Sequence, residues 1–372
     1  MRKQNIKKNE RNMFLEYANQ YSPEIDMSIG KFFQKKKKSV PRGFMRDIYE
    51  ILGHYCLRKG KRVRPVMLII GYLGYGGKKS AIGGVVALAS ALELMHCFLL
   101  IQDDIIDRAE ERRGDRALHL VFQDKYGKVS RNDRIGQDVA LVAADVLFTC
   151  ALEIITAAPV RPELKQEFMA LFSKTYEMTA WGQILDSLHT LPTVIPAGGD
   201  TARQISLMKT AYYTVYYPLL MGYVLAGGNS ENEKKLIEQS ALPMGLAFQL
   251  RDDILGTFGE KEKTGKPTVS DIVEGKLTHL VQHTLINLDE KEKNRFFGLF
   301  SSARKSSREI AEIKKILMQS GALDEVVEHF RREVGKAGRG IEKLAADKTA
   351  KSALRGFIGA MDLPIEDWAS GV

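Results

Sequence analysis

Two short acidic runs, about 150 residues apart, carry the side chains of this chain that are best suited to chemistry. Each run places two polar side chains three or four residues apart and so on one face of a helix: Asp103 with Asp107, and Gln249 with Asp252. Carboxylate oxygens suit Mg²⁺, which completes its coordination with water and substrate phosphates. The two faces together predict a site that holds a diphosphate through magnesium.

The helices that must position these runs are apolar. Residues 85–101, just before the first run, are hydrophobic nearly all round and indicate a buried helix. A single acidic run on a polar helix is usually solvated surface. Carboxylates that end a buried helix, in contrast, need cations close by.

Two basic runs supply such cations. Residues 60–65 (GKRVRP) place three cationic side chains at the start of an apolar segment, and Arg112-Arg113-Gly114 follows Asp107 by five residues. Guanidinium groups bind phosphate oxygens in a bidentate manner. Each basic run alone would be a solvated loop, but the four runs in one chain favour a phosphate site.

At these positions the chain resembles the trans-isoprenyl diphosphate synthases, also called polyprenyl synthetases. The family's motifs occur in order and at similar spacing between about residue 40 and about residue 285. The matching positions are Gly60 to Pro65, His96, Asp103 to Asp107, Arg112 to Gly114, Gly182-Gln183, Lys209-Thr210, Phe248 to Asp253 and Gly265-Lys266. The resemblance implies a single large helical bundle of the isoprenoid synthase type with a central active-site cavity.

The activity that the resemblance implies is magnesium-dependent, head-to-tail prenyl transfer by a homodimer. Isopentenyl diphosphate is condensed with an allylic diphosphate to a short-chain product. The implied metal ligands, for three magnesium ions, are Asp103, Asp107, Asp252 and Asp253. The implied catalytic set is Asp103, Asp107, Lys209, Thr210, Gln249 and Asp252.

The same resemblance divides the substrate contacts into two groups. Arg112, Lys209 and Lys266 would surround the allylic diphosphate with positive charge. Isopentenyl diphosphate would be bound without metal by Lys61, Arg64, His96 and Arg113. Gln249, Thr210 and the carbonyl of Lys209 would face the allylic cation, and the released diphosphate would take the proton.

One position departs from the family pattern. The second acidic motif commonly ends in a third Asp, but Gly256 stands there. The resemblance implies that Asp252 carries most of the coordination of the third magnesium ion. Asp253 would then be held through water.

The residues before the first acidic motif bear on product length. The resemblance implies that Phe98, five positions before the motif, and its neighbour Leu99 form the floor for the growing tail, which favours a C20 geranylgeranyl product. A helical wheel of 100° per residue nevertheless turns Phe98 well away from Asp103. Ordinary core packing is therefore the alternative interpretation of Phe98.

Four other functions stay open at this point. The product could be a farnesyl or a C25 diphosphate. A terpene cyclase would leave Lys61, Arg64 and Arg113 without a role, because it binds no second diphosphate. A noncatalytic synthase subunit would be expected to have lost acidic ligands, and only Gly256 points that way.

Composition agrees with one large domain. The chain has 372 residues, 44% of them hydrophobic, and only 11 Pro, so it can bury a large core. Of the net charge of +9, residues 1–38 carry +6, from ten Lys or Arg against four Asp or Glu. We therefore predict a basic N-terminal segment (1–38), in which Lys35 to Lys38 are solvated, and a synthase domain (39–372). No aromatic residues alternate with the basic ones, which disfavours nucleic-acid binding.

Cysteines and apolar runs indicate a cytoplasmic protein without a transmembrane segment. Cys56, Cys97 and Cys150 form no close pair, which disfavours disulfides and a zinc site. The basic N-terminus is not followed by the apolar stretch of a secretory signal. The longest apolar run, residues 139–160, is interrupted by Asp145 and predicts a buried core helix.

The hydrophobic period is helical almost throughout, which predicts an all-α fold. Breaks fall at residues 74–77, 191–199, 227–228 and 260–267. Thr201 and Ser230 have the spacing of capping boxes just after two of these breaks. Pro218 and Pro243 fall inside predicted helices and should kink them.

Overall fold

The computed structural model describes residues 2–130, 132–189, 200–259, 269–302 and 304–361. These ranges are almost entirely helical, as the periodicity predicts. The first ten helices are α1 (Arg2–Ser39), α2 (Phe44–Cys56), α3 (Val63–Gly74), α4 (Ile82–Ile106), α5 (Leu118–Tyr126), α6 (Ile135–Ala157), α7 (Pro162–Leu188), α8 (Thr201–Ser206), α9 (Tyr217–Leu225) and α10 (Glu231–Phe258). The others are α11 (Ser270–Glu274), α12 (His279–Asn287), α13 (Glu290–Phe300), α14 (Ser307–Gln319), α15 (Ala322–Lys343) and α16 (Lys348–Gly359).

Helix α4 lies at the centre of the bundle. It packs against α1, α3 and α6, and most of its side chains are buried. This burial agrees with a sequence that is apolar nearly all round. Because α4 ends at Ile106, the first acidic motif lies at its C-terminal end.

A small hairpin follows α4 and positions the two arginines. Its strands, β1 (Glu111–Arg112) and β2 (Asp115–Arg116), pair antiparallel. The turn residues Arg113 and Gly114 both have positive φ, 58° and 78°, as a type I′ turn requires. The hairpin therefore fixes the directions of Arg112 and Arg113 relative to α4.

A π-helical segment (Leu207–Tyr216) joins α8 to α9 and lies between α7 and α10. Two glycines let the neighbouring helices approach its backbone closely. A Cβ on Gly182 of α7 would lie 2.5 Å from Lys209 N, and one on Gly245 of α10 would lie 2.4 Å from Ala211 Cα. Any larger residue there would push Lys209 and its neighbours out of place. The Gly182 motif thus has a packing role.

The N-terminal helix packs into the core of the bundle. Tyr21, Ile25, Ile29 and Phe33 of α1, spaced four residues apart, are buried in the core, and α1 packs along α16. The predicted boundary at residue 38 therefore does not separate two packing units. Many Lys and Arg residues of α1 flank these positions, so the apolar stripe is difficult to recognise in the sequence. The basic run at its end is paired in part, with Lys36 Nζ 2.8 Å from Glu153.

Two helical segments are long and apolar enough, by length and composition, to cross a membrane. One is Lys79–Ile106, which contains α4, and the other is α6. The most apolar window of the first is 78% buried inside the protein, which identifies a core helix. The corresponding window of α6 is only 44% buried, so the predicted core helix there presents an apolar outer face. The three cysteines are free and buried, as the sequence predicts.

The predicted helix ends and kinks have mixed outcomes. Ser230 caps α10 by accepting a hydrogen bond from Glu233 N (3.3 Å). Thr201 is not a cap, because α8 begins at Thr201 itself and follows Asp200. Pro218 is the second residue of α9, directly after the π-helical segment, where its missing N–H coincides with the change of helix type. Pro243 lies inside α10.

Candidate active site

The first acidic motif presents two carboxylates to basic groups from other elements. Asp103 lies 3.1 Å from Lys209 Nζ of the π-helical segment and 3.3 Å from Arg112 Nη2 of the hairpin. Asp107 lies 2.7 Å from Lys276 Nζ, which follows α11. These contacts join α4 to three distant parts of the chain at one place, as the predicted shared face requires.

Asp104, between them, points into the core. It accepts a hydrogen bond from Arg112 Nε (2.6 Å) and one from the hydroxyl of Tyr55 (3.4 Å). Burial raises the pKa of Asp104 to about 6, although Arg112 opposes this rise. Asp104 therefore holds Arg112 in position from the core side. Its carboxylate does not face the basic groups of the site as those of Asp103 and Asp107 do.

The electrostatics of the motif reflect a crowded pair of acids. Burial alone would raise the pKa of Asp103, but Lys209, Lys276 and Arg112 lower it to about 2. Burial and the nearby charge of Asp103 raise the pKa of Asp107. Neighbouring cations thus keep Asp103 ionised, whereas the net effect at Asp107 favours its neutral form.

Both lysines at this site are themselves half-buried and paired. Lys209 Nζ donates to Asp186 of α7 at 2.7 Å as well as contacting Asp103. Lys276 contacts Glu274 at 2.5 Å as well as Asp107. Burial would lower the pKa of each amine, but the surrounding carboxylates raise both above the usual lysine value. Two permanent positive charges therefore face the acidic motif.

The second acidic motif is tied to the π-helical segment through its glutamine. Thr210 donates its hydroxyl hydrogen to Gln249 Oε1 at 2.6 Å, and Gln249 Nε2 donates to Asp253 at 2.7 Å. Asp253 also accepts from the backbone N–H of His279 (3.3 Å) and lies 3.1 Å from its ring Nδ1. This chain of bonds fixes the amide of Gln249 beside Thr210.

The two aspartates of the motif differ in direction. The side chain of Asp253 is 5% exposed and both of its oxygens accept hydrogen bonds from protein groups, whereas that of Asp252 is 26% exposed. Asp253, predicted as a metal ligand through water, thus supports Gln249 and His279. Asp252 is the more exposed aspartate of this motif.

The position of the missing third aspartate is filled from another helix. A Cβ on Gly256 would lie 2.5 Å from Asp271 Oδ2 of α11, so the carboxylate of Asp271 occupies the space of a side chain at 256. Asp271, Lys276, Lys209, Thr210, Gln249 and Asp253 together line a small cavity of about 110 Å³. An acidic group is therefore present here, although it comes from 15 residues further along the chain.

The predicted metal-free binding group lies on α3 and α4. The Arg64 guanidinium stacks on the Tyr213 ring, with Cζ 3.9 Å from its centroid, and Nη1 lies 3.4 Å from His96 Nε2. The Tyr213 hydroxyl lies 2.6 Å from His96 Nδ1. Arg64 Nε is buried and has no hydrogen-bond partner in the described part of the chain. A buried guanidinium donor of this kind fits an anion.

Arg113 is held beside this group by a buried glutamate. Glu93 of α4 lies 2.6 Å from Arg62 Nη1 and 3.2 Å from Arg113 Nη2. Arg62, with φ of 45°, is anchored further by Asp26 at 2.8 Å. Burial, together with Arg64 and Arg113, lowers the pKa of His96 well below its usual value, so its ring is neutral.

Lys61 does not join these partners. Its residue is exposed, whereas a Cβ on its neighbour Gly60 would lie 3.0 Å from Arg113 Cζ. Arg64, His96 and Arg113 are thus brought together, with Lys61 at the rim. Lys266 lies outside the described residues.

A cavity of about 440 Å³ connects the two groups, within the size range of small-molecule sites. Its polar lining is Arg64, His96, Gln102, Asp103, Thr179, Gln183, Lys209, Thr210 and Tyr213, and its apolar lining includes Leu99, Leu100, Ile105, Ile106, Leu141, Tyr176, Ala180 and Ile184. Leu99 reaches the cavity as predicted. Phe98 does not; its ring is buried behind the cavity wall.

The magnesium ions that the resemblance implies fit these donors. In the described part of the chain, no three His, Cys, Asp or Glu side chains are grouped so as to hold a metal ion by themselves. Mg²⁺ is commonly bound by one or two carboxylates and completed by water and substrate phosphates. The carboxylates of Asp103, Asp107 and Asp252 are suited to that kind of coordination.

Comparisons with known proteins agree with this site. The sequence profile described as Polyprenyl synthetase matches residues 45–317. A short chain isoprenyl diphosphate synthase of Methanocaldococcus jannaschii is 31% identical over 73% of this chain and 77% of that protein. The chain belongs to the polyprenyl synthetase family.

Two further similarities extend the match. A geranylgeranyl diphosphate synthase of Sulfolobus acidocaldarius is 28% identical over 82% of this chain and 85% of its own. The crystal structure of a geranylgeranyl pyrophosphate synthase from Corynebacterium glutamicum, complexed with isoprenyl diphosphate and magnesium, superposes with a TM-score of 0.85. It is 25% identical and covers 92% of this chain and 98% of that one. The predicted all-α fold and the predicted enzyme class, a prenyltransferase, are confirmed.

Several residues of this polyprenyl synthetase site were not predicted from the sequence. They are Glu93, Asp186, Tyr213, Asp271 and Lys276. Glu93 could have been found from the sequence, because a charged residue three positions before His96 lies on the same face of an otherwise apolar helix. Lys276 could not have been found in this way, since its partner Asp107 is 169 residues away in sequence.

Proposed function

We propose that this polyprenyl synthetase condenses isopentenyl diphosphate head to tail with an allylic diphosphate and ends at the C20 geranylgeranyl product. One observation carries the proposal: two different anion-binding groups lie at one cavity. One group combines the acids of α4 with Lys209, and the other contains Arg64, His96 and Arg113. A reaction between two diphosphates needs two such groups.

The allylic diphosphate binds at the acidic end. Asp103, Asp107 and Asp252 would hold three magnesium ions, which act when bound as Lewis acids toward the departing diphosphate. Lys209 and Arg112 already touch Asp103, and Lys276 touches Asp107, so their charges surround the same place.

These fixed cations have a direct chemical role. Breaking the allylic carbon–oxygen bond places negative charge on the leaving diphosphate. Lys209, Lys276 and Arg112 are held in place by carboxylates before any substrate arrives, so they need little reorganisation when that charge develops. Lys266 is assigned to the same task by resemblance alone.

The allylic cation would face oxygen atoms of the π-helical segment and α10. Because Thr210 gives its hydroxyl hydrogen to Gln249, its oxygen lone pairs are left for the cation. The carbonyl of Lys209 and the amide oxygen of Gln249 would add to this negative potential. The apolar side chains of the cavity keep water from the cation, and the released diphosphate takes the proton.

Isopentenyl diphosphate binds at the basic end without metal. Arg64 has a buried N–H without a partner in the described chain, and the neutral ring of His96 lies beside it. Arg113, oriented by Glu93, completes a cationic surface. Lys61 at the rim would extend it.

We also propose a homodimer in the cytoplasm. The outer faces of α6 and α7 expose large apolar side chains, namely Val142, Trp181 and Leu188. Such a patch fits an interface between two copies. The free cysteines fit a reducing compartment. A dimer is expected in light scattering of the purified protein, and a monomer would contradict this part of the proposal.

A single assay tests the reaction. Purified protein is incubated with Mg²⁺, labelled isopentenyl diphosphate and a C5, C10 or C15 allylic primer, and a chelator-treated sample serves as the control. We expect a C20 product and release of pyrophosphate that depend on the metal. A C15 or C25 product would correct the chain length only. No incorporation with any primer would contradict the proposal and favour a noncatalytic subunit.

A further inference from the structure

An aromatic residue of α7 forms part of the cavity wall. Tyr176 lines the cavity, whereas Phe98 of α4 is 2% exposed and does not reach it. The growing tail of a prenyl product would therefore meet Tyr176 before it could meet Phe98.

Tyr176 is part of a compact aromatic group. Its ring centroid lies 5.4 Å from that of Phe98 and 5.2 Å from that of Phe148 on α6, and Phe98 and Phe148 are 5.2 Å apart. These separations are typical of favourable aromatic contacts. Of the three rings, only that of Tyr176 lines the cavity. The rings of Phe98 and Phe148 pack behind it.

The position of Tyr176 on α7 gives the distance from the chemistry. Asp186, which bonds Lys209 at the diphosphate end, is ten residues further along the same helix, a rise of roughly 15 Å. Between them, Ile184, Gln183, Ala180 and Thr179 line the cavity. Beyond the small residues at 180 and 179, Tyr176 is the cavity-lining residue of α7 that lies farthest from Asp186.

We propose that Tyr176 is the residue at which elongation of the product stops, and that Phe98 is a positioning residue that holds the Tyr176 ring across the cavity. This inference rests on the proposed function, because it concerns the tail of the same product. It moves the floor of the cavity from α4, where the sequence places it, to α7.

The test compares the products of single variants with those of the wild-type enzyme. Tyr176→Ala should shift the main product by at least one isoprene unit, whereas Tyr176→Phe, which keeps the ring, should leave it unchanged. Phe168→Leu is the matched control, because Phe168 is a buried aromatic of α7 that packs on Phe172 and does not line the cavity. It should alter stability without altering product length. Tyr176→Leu replaces Tyr176→Ala if the latter does not fold.

Variants of Phe98 separate a direct floor from a support. Phe98→Ala alone should give a mixture of wild-type and longer products, because Tyr176 is still present but less constrained. Phe98→Ala combined with Tyr176→Ala should give longer products than either change alone.

Two results would overturn the inference. One is a folded and active Tyr176→Ala enzyme with the wild-type product distribution. The other is lengthening by Phe98→Ala when Tyr176→Ala has no effect, which would make Phe98 the floor. Failure of the proposed function looks different, since the wild-type enzyme would then form no product at all.

Discussion

The buried carboxylate of Glu93 offers a quantitative test of how the basic end of the site is held. It lies between two guanidinium groups, 2.6 Å from Arg62 and 3.2 Å from Arg113, and its side chain is 1% exposed. Glu93→Gln keeps the shape of the side chain and removes its charge. Arg62 and Arg113 would then lie close together without the acid that pairs with both.

The size of the effect follows from burial. Removing one partner of a buried ion pair typically costs about 3–5 kcal/mol. Since Arg62 keeps Asp26 at 2.8 Å, we expect the lower end, about 3 kcal/mol of unfolding free energy. An unfolding entropy of about 2.1 cal/mol/K per residue over 372 residues converts this into a fall in melting temperature of about 4 °C.

The assay is a thermal melt monitored by circular dichroism. Glu290→Gln is the matched control, because Glu290 is 87% exposed and pairs with Lys293 at 3.1 Å on the surface. Such a pair contributes about 0–1 kcal/mol, so this control should melt within about 1 °C of the wild type. Isopentenyl diphosphate should raise the melting temperature of Glu93→Gln more than that of the wild type, because the bound anion replaces the lost charge.

Two results would refute this reasoning. A Glu93→Gln protein that melts with the control would show that the buried pair adds no net stability. A smaller ligand-induced rise in Glu93→Gln than in the wild type would show that Arg113, which Glu93 contacts, does not belong to the anion site.

Two further predictions follow from the same contacts. Asp103→Ala should abolish turnover, whereas Arg113→Ala should chiefly raise the KM for isopentenyl diphosphate. Asp124→Ala, at an exposed position, is the control. A loss of affinity for the allylic diphosphate alone in Arg113→Ala would contradict the assignment of the two sites. The effects of Asp103→Ala and Arg113→Ala should not add, because groups that act on one reaction are not independent. Gly256→Asp should lower the unfolding free energy by about 1–3 kcal/mol, because the new Cβ would lie 2.5 Å from the carboxylate of Asp271. A thermal melt measures this change. An unchanged or raised melting temperature would show that the site accepts the usual third aspartate.

The parts of the site that follow local helix geometry could be predicted from the sequence. Asp103 and Asp107 share a face because they are one turn apart, and His96 lies two turns before Asp103 on the same side. The pairing of Thr210 with Gln249, at 2.6 Å, could not be derived from spacing and came from the family motif.

The parts that depend on contacts between distant segments could not be predicted. Lys276 reaches Asp107 across 169 residues, and Asp271 enters the space that Gly256 leaves on another helix. The packing of α1 was also missed. Its apolar positions lie four residues apart, but the charged residues between them dominate the composition on which the predicted boundary rested.

Product length is the question on which two lines of reasoning about Phe98 differ. The resemblance placed Phe98 beside the end of the tail, whereas the helical wheel turned it away from Asp103. In the structure, Phe98 does point away from the cavity, yet its ring lies 5.4 Å from that of Tyr176, which lines the cavity. Under the proposal for Tyr176, Phe98 influences product length without touching the product, because a ring that is packed from behind cannot move aside. Substitutions at Phe98 and at Tyr176 should therefore be coupled in their effect on the product, as contacting residues are.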